Sequence, residues 1–316
     1  MVKRYGIGTI VAITMTILVW STTFAGLVVA LKHFSPGHLL FLRWTLTALL
    51  FAGYGVATRM RLPRRVDVPV FVATGLLGFG AYQLLLVFGQ QGVSASMAGF
   101  LINMNPVFTT LIAVALGRDI ANGFTWVGLA ACMGGLVLMG SAGGGFGEIG
   151  WSAGLVVLAA LSFAGYTVLS KPLFSRYKPL EVVTYSVVAG SLPFLVFAPG
   201  SVAAATSATP AQLATVLFLA VFPGGIAYLL WSHSVAALPP GIASRFLYLV
   251  PVLGVPIAWL WVGEVPQTLT LVGGAVTLAG VALATVRRAP WSPRVTVPTL
   301  GPVEPAVVPG LVSDAA

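Results

Sequence analysis

The groups that could move a proton come first, because a proton carrier inside a bilayer is ordinarily a buried carboxylate. Asp67, Asp119, Glu148, Glu181 and Glu264 all fall at the ends of apolar runs or between them, and Glu304 and Asp314 lie near the C-terminus. No carboxylate sits near the middle of an apolar run. Of the three histidines, the side-chain type that changes charge near neutral pH, His38 and His233 are the candidates. Each lies near the end of a run, where a solvated or capping role is expected over a proton relay. Exchange of a cation for protons is therefore disfavoured.

Two cations, Arg43 and Arg245, fall inside apolar runs. Burying an Arg at the centre of a membrane helix costs roughly 2.5–3.5 kcal/mol on insertion scales. Both lie one to two turns from the start of a run, so snorkelling to the interface is the structural reading. The functional alternative is a fork-shaped contact with a substrate carboxylate, which suits guanidinium geometry.

Uncharged polar and aromatic residues recur at helical spacing. Trp20, Ser21 and Phe24 fall together in one run; Phe79, Tyr82 and Gln83 share a face in another; Asn103 and Asn105 precede Pro106. Ser162, Phe163 and Tyr166 repeat the pattern, followed by Tyr228 with Trp231 and by Ser244 with Tyr248. Residues three or four apart share one helical face. Such faces suit a cavity offering hydrogen bonds and aromatic walls to a zwitterion with an apolar side chain. Their plain alternative is helix packing, where small polar residues allow close approach and aromatics fill space. Pro106 and Pro251 each remove a backbone donor and disturb the helix one turn earlier. Gating is one reading of them, and passive kinks, common in membrane helices, are the other. No Gly-rich phosphate loop, metal-ligand cluster or Ser/His/Asp set stands beside these residues. The single cysteine, Cys132, lies in an apolar run, so no disulfide framework is available. Neither a metal nor a cofactor is expected.

The elements that position these residues follow from composition. Only 7% of the 316 residues are charged and 58% are hydrophobic, with a mean hydropathy of +1.00; soluble domains carry about 25% charged residues. The net charge of +9 raises nucleic acid as a partner, but the basic residues sit in short clusters between apolar runs, as membrane orientation requires. A crossing helix needs about 20 apolar residues. Charges and Pro/Gly breaks divide the chain into ten spans: 7–31, 37–57, 68–90, 94–116, 122–141, 150–171, 180–199, 211–232, 240–262 and 267–286. The first run follows Lys3-Arg4 like a signal peptide but exceeds the usual 7–15-residue apolar core, so it reads as a span.

Orientation follows from the basic residues. With a cytoplasmic N-terminus, Lys3, Arg4, Arg59, Arg61, Arg64, Arg65, Arg118, Lys171, Arg176, Lys178, Arg287, Arg288 and Arg294 are inside, and Lys32 alone is in an outside loop. Thirteen against one puts both termini in the cytoplasm. Residues 289–316, rich in Pro and Val without helical period, read as a disordered cytoplasmic tail.

Displacing the chain against itself by 145 residues aligns 98–138 with 243–283 without a gap, with eleven of 41 positions identical. Among them Pro106 matches Pro251, Thr125 matches Thr270, Gly128 matches Gly273 and Gly135 matches Gly280. Five spans per copy is an odd number, so the second copy starts on the opposite side of the membrane. The expected fold is an all-α polytopic membrane protein of ten transmembrane helices, built as two inverted five-helix repeats over 1–146 and 147–288. Inverted repeats recur in transporters, with a site near the midplane and alternating access.

These motifs resemble a known family. Val19-Trp20-Ser21-Thr22-Thr23-Phe24, then Pro36 with Arg43-Trp44, look like the opening of the EamA-type drug/metabolite transporters. Pro106…Gly117-Arg118-Asp119 with Trp126-Val127-Gly128 and Gly134-Gly135 resembles the end of one EamA repeat, and Pro251…Gly263-Glu264 with Gly273 and Gly280 the end of the other. Within the superfamily, Leu18-Val19-Trp20-Ser21-Thr22 is most similar to YddG-like amino acid exporters. The resemblance covers about residues 7–288 and implies ten helices, cytoplasmic termini and a cavity lined by spans 1, 3, 4, 6, 8 and 9. It also implies a general structural role for Arg43, a position the family fills whatever its substrate, more than for Arg245.

The expected function is a secondary transporter in a bacterial inner membrane, exporting neutral amino acids, aromatic ones and Met included, without obligatory proton coupling. Trp20, Ser21, Phe24, Phe79, Tyr82, Gln83, Asn103, Ser162, Phe163, Tyr166, Tyr228, Trp231, Ser244, Arg245 and Tyr248 are the expected substrate contacts, with Pro106 and Pro251 as gates. Export of another metabolite or drug, a membrane-embedded enzyme and a scaffold are the alternatives. The partners are the solute and the lipid bilayer, without nucleic acid. The oligomeric state stays open, a monomer being plausible.

Overall fold

The computed structural model describes residues 6–92, 95–142, 151–262 and 267–284. Glu148, Gly263, Glu264, both arginines at 287–288 and the tail 289–316 lie outside them. Every regular element among the described residues is helical. This is what a bilayer demands of an apolar chain, since each backbone N–H and C=O must find a partner within its own segment or in a closed barrel.

Seven helical stretches are long and apolar enough to cross a membrane: α1 (Ile7–Leu31), α2 (Pro36–Ala57), α3 (Arg65–Gly92), α7 (Trp151–Ser175), α8 (Pro179–Phe197), α10 (Pro210–Ala237) and α11 (Pro240–Ile257). Between them come α4 (Ala95–Ile102), α5 (Asn105–Ala115), α6 (Gly123–Ala142) and the short α9 (Ser201–Thr206), and α12 (Thr268–Ala284) follows. The chain is thus a polytopic all-helical membrane protein. Its outer surface carries large apolar side chains, among them Leu49, Leu192, Leu217 and Leu271, all more than half exposed. Its centre holds the aromatics Trp44, Phe79, Tyr166, Tyr228 and Trp231, at most 2% exposed.

Breaks in the helices fall where the sequence requires them. The run expected at 94–116 is two helices, because Pro106 cannot donate to the preceding turn and sits in the first turn of α5, with Asn103 and Met104 in the break. Before Pro251 a 3₁₀ turn, Phe246–Tyr248, interrupts α11 in the same way. Two wider π turns interrupt α3 at Leu76–Ala81 and α10 at Phe222–Ile226. Such insertions are frequent at functional sites.

Helix α6 packs antiparallel on α12 through glycine. A Cβ on Gly135 would lie 2.5 Å from the Gly273 carbonyl oxygen, and one on Gly280 2.8 Å from that of Gly128. Only glycine lets the two backbones approach this closely.

Polar contacts gather at one end of the bundle. Arg176 pairs with Asp67 at 2.7 Å, and the Tyr177 hydroxyl donates to the same carboxylate at 2.6 Å. Lys171 Nζ donates to the carbonyls of Val235, Ala236 and Leu238 at 2.7–2.9 Å, capping the C-terminal end of α10. Arg118 donates to Val168 O, and Arg245 donates to Ala284 O, each at 2.7 Å.

Candidate functional site

A narrow cavity lies between α1, α2, α3, the α4–α5 break, α7, α10 and α11. Its lining is Trp20, Thr23, Phe24, Arg43, Tyr82, Gln83, Leu86, Ile102, Asn103, Asn105, Phe163, Tyr228, Leu247 and Val250. Those are spans 1, 3, 4, 6, 8 and 9 of the sequence reading, joined by the second through Arg43. About 60 Å³ is open to the centre of a water-sized sphere, and one water needs roughly 10–15 Å³ of such space. The cavity therefore holds a few waters, and an organic solute requires side chains to move.

The aromatic wall is a continuous set of edge-to-face and tilted contacts. Trp20 meets Tyr228 at 5.1 Å and Phe163 at 5.7 Å between ring centroids, and Tyr82 meets Phe163 at 4.9 Å. Rings prefer these arrangements to face-to-face stacking. The two π turns deliver the phenols: each ends one or two residues before its tyrosine, Tyr82 in α3 and Tyr228 in α10. Trp20 is pinned by its indole N–H, which donates to Pro223 O in the α10 π turn at 3.1 Å.

The polar groups are few and specifically held. Gln83 Nε2 donates to the Tyr228 hydroxyl at 3.1 Å, and that hydroxyl donates onward to Gly78 O at 3.4 Å. This direction leaves Gln83 Oε1 buried without a hydrogen bond. Asn103 Nδ2 donates to Gly99 O at 2.6 Å, closing the end of α4, and Asn105 Nδ2 donates to Ala160 O at 3.1 Å, tying α5 to α7. Arg43 Nε donates to Leu219 O at 3.1 Å, while its Nη1 is buried with no hydrogen-bond acceptor. None of the lining residues is Asp, Glu or His.

Of the expected contacts, Trp20, Phe24, Tyr82, Gln83, Asn103, Phe163 and Tyr228 line the cavity. Phe79, Tyr166 and Trp231 stand behind the wall: Phe79 lies 4.5 Å from Tyr228, Tyr166 5.5 Å from Phe163 and Trp231 5.5 Å from Trp20. Ser21, Ser162 and Ser244 face helix backbones, donating to Val250 O (and Ile17 O), Leu77 O and Gly241 O. Tyr248 packs with Leu129, Cys132, Leu136 and Val281 instead. Arg245 is also elsewhere, with Nη2 3.9 Å from Asp119 Oδ2 and both side chains 1% exposed. Arg43, Thr23 and Asn105 are lining residues that were not among the expected contacts. One sequence signal pointed at the wall more sharply than face counting: Gly78, Ala81, Tyr82 and Leu84 recur as Gly224, Ala227, Tyr228 and Leu230 at a spacing of 146.

Asp119, Asp67 and Glu181 sit near helix ends as the sequence indicated, yet all three are buried, at 8%, 2% and 8% exposure. Each faces an arginine, at 2.7–3.9 Å. Among the described residues no cluster of three or more His, Cys, Asp or Glu could hold a metal.

An all-helical membrane protein with an aromatic, sparsely polar cavity between its helices is built as a solute carrier is built. The EamA-like transporter family matches residues 7–141 and again 150–286, and the chain belongs to that family. It is 34% identical over 276 residues to a "probable terminal-alkyne amino-acid exporter" of Streptantibioticus cattleyicolor, covering 86% of this chain and 91% of that one. It is 30% identical to the uncharacterized transporter YdfC of Bacillus subtilis, over 85% and 88% of the two chains. An S-adenosylmethionine/S-adenosylhomocysteine transporter of Chlamydia muridarum is 26% identical over 80% and 83%. A solved crystal structure, 21% identical, superimposes with a TM-score of 0.73 over 88% of this chain and 98% of its own, which shows the shared fold.

Proposed function

We propose that this membrane transporter exports neutral amino acids, including aromatic ones and Met, from a bacterial cytoplasm by alternating access, without obligatory coupling to protons. The observation that carries this reading is the cavity's composition. Five aromatic side chains plus Leu86, Ile102, Leu247 and Val250 offer a wall for an apolar side chain. Arg43, Gln83, Asn103 and Asn105 supply the few polar groups that fix orientation. The relatives named above for an amino acid and for S-adenosylmethionine carry the same α-amino-acid group, which agrees with a site for it.

The reading has ten crossings as two inverted repeats, 1–146 and 147–288, in the inner membrane with both termini cytoplasmic. The paired π turns and the paired breaks before Pro106 and Pro251 favour two copies of one plan. Sidedness is favoured by contacts between segments assigned to the same side: Asp67 with Arg176, Arg118 with Val168 and Lys171 with the end of α10. At the opposite end, a Cβ on Gly37 would lie 2.6 Å from the Phe197 ring. Arg118–Val168 and Arg245–Asp119 join the two halves, so opening toward the cytoplasm must break them, with the Pro106 and Pro251 breaks as the hinges.

A panel of solutes tested for flux into liposomes containing the purified chain decides the substrate. Saturable flux of Phe, Tyr, Met or Leu is the expected result. Flux confined to sugars, nucleosides or cationic drugs would overturn the reading, and saturable binding without any flux would make the chain a receptor.

A further inference from the structure

Resting on that reading, and deepening it, we infer that the cavity recognises the zwitterion itself: Arg43 Nη1 receives the substrate's carboxylate, and Gln83 Oε1 receives its ammonium.

Arg43 is 2% exposed and carries a charge that burial penalises heavily. Its guanidinium is divided between two tasks. Nε is engaged with Leu219 O, which fixes the side chain across α2 and α10, and Cζ lies over the Trp44 ring, 4.9 Å from its centroid. Nη1 is left as a buried donor without an acceptor, in a cavity none of whose lining residues is acidic. A buried donor left unmade is expensive, and more so when it is charged. A carboxylate arriving from the solute satisfies it and neutralises the charge at the same time, in the fork geometry guanidinium favours.

Gln83 supplies the opposite need. Its amide is oriented by donation to Tyr228, whose own proton goes to Gly78 O, so Oε1 remains a buried acceptor without a donor. Thr23 Oγ1, also on the cavity and also without a partner, adds a second oxygen. Neutral oxygens can hold an ammonium without fixing a negative charge that would attract cations in general. An unmet cationic donor and unmet neutral acceptors in one aromatic cavity match a solute with both charges, and match neither a plain amine nor a plain acid as well.

The test compares Phe, phenethylamine (no carboxylate) and 3-phenylpropionate (no ammonium) as competitors of radiolabelled Phe counterflow and as thermal stabilisers of the detergent-purified full chain. In the native protein each truncated compound should act about 10-fold or more weakly than Phe, the size expected when a hydrogen bond to a charged group is lost. Arg43→Gln should abolish the advantage of Phe over phenethylamine, and Arg43→Lys should recover part of it. Gln83→Glu should raise the apparent affinity for phenethylamine relative to Phe. If Arg43→Gln fails to fold, the comparison of the three compounds on the native protein still decides. Equal action of phenethylamine and Phe on the native protein, or discrimination unchanged in a folded Arg43→Gln, would overturn the inference and leave amino acid export standing. Absence of both Phe binding and Phe flux would overturn export as well.

Discussion

Cys132 and Thr277 touch: the thiol of one donates to the backbone carbonyl of the other at 3.6 Å. They are 145 residues apart, the offset at which 98–138 aligns with 243–283. In the proposed five-plus-five plan these are equivalent positions, and equivalent positions meet where the two-fold axis of that plan passes between them. The neighbouring contacts fit that plan, since Gly135 approaches the Gly273 carbonyl and Thr277 N as Gly280 approaches the Gly128 carbonyl and Cys132 N.

If that crossing is shared equally, Gly135→Leu and Gly280→Leu should destabilise the protein by similar amounts. Overpacking a closely packed contact costs about 1–3 kcal/mol. Thermal unfolding of the two variants in detergent measures this. A large loss for one and none for the other would count against the axis.

The sidedness reading predicts that a reporter fused after Arg288 behaves as cytoplasmic and one inserted near Glu148 as periplasmic. Opposite outcomes for the first would make the number of crossings odd and remove the five-plus-five plan.

The wall predicts graded effects on flux. Trp20→Ala and Tyr82→Ala remove lining rings and should raise KM roughly 2–12-fold, the range for losing an aromatic contact of about 0.5–1.5 kcal/mol. Tyr166→Ala, behind the wall, should act less directly, by loosening Phe79 and Phe163. Ser244→Ala, away from the cavity, should leave KM unchanged. Equal KM for all four variants and the native protein would mean that the solute binds elsewhere.

The Arg245–Asp119 pair predicts a stability effect rather than a substrate effect. Arg245→Met removes the cation facing the buried Asp119 carboxylate, and breaking such a buried pair costs about 3–5 kcal/mol. Adding Asp119→Asn should recover much of the loss. A double variant no more stable than Arg245→Met alone would indicate that the two side chains do not act as a pair.

Much of this was legible in the sequence. Long uncharged runs dictate membrane helices, so span positions followed from the charges and Pro/Gly breaks between them, and most described stretches end within a few residues of the expected bounds. Pro106 was legible as a break, although not as the start of a new helix. Side-chain direction was harder to read. Trp20 and Ser21 are neighbours on the chain, yet Trp20 lines the cavity while Ser21 turns to its own helix and to Val250. Face counting assumes a regular helix, and the π turns before Tyr82 and Tyr228 rotate everything beyond them. The two intramembrane arginines were indistinguishable by depth; only packing puts Arg43 on the cavity and Arg245 beside Asp119.

The central claim is a carrier for neutral amino acids that needs no proton. Coupling requires a group that binds a proton in one access state, and none of the cavity's lining residues is Asp, Glu or His. The direct measurement is counterflow of radiolabelled Phe or Met in proteoliposomes, at equal internal and external pH, with an imposed pH gradient, and with an uncoupler. The account predicts saturable exchange in all three conditions, with a final level set by the amino acid gradient alone. Accumulation that requires the pH gradient and disappears with the uncoupler would contradict it.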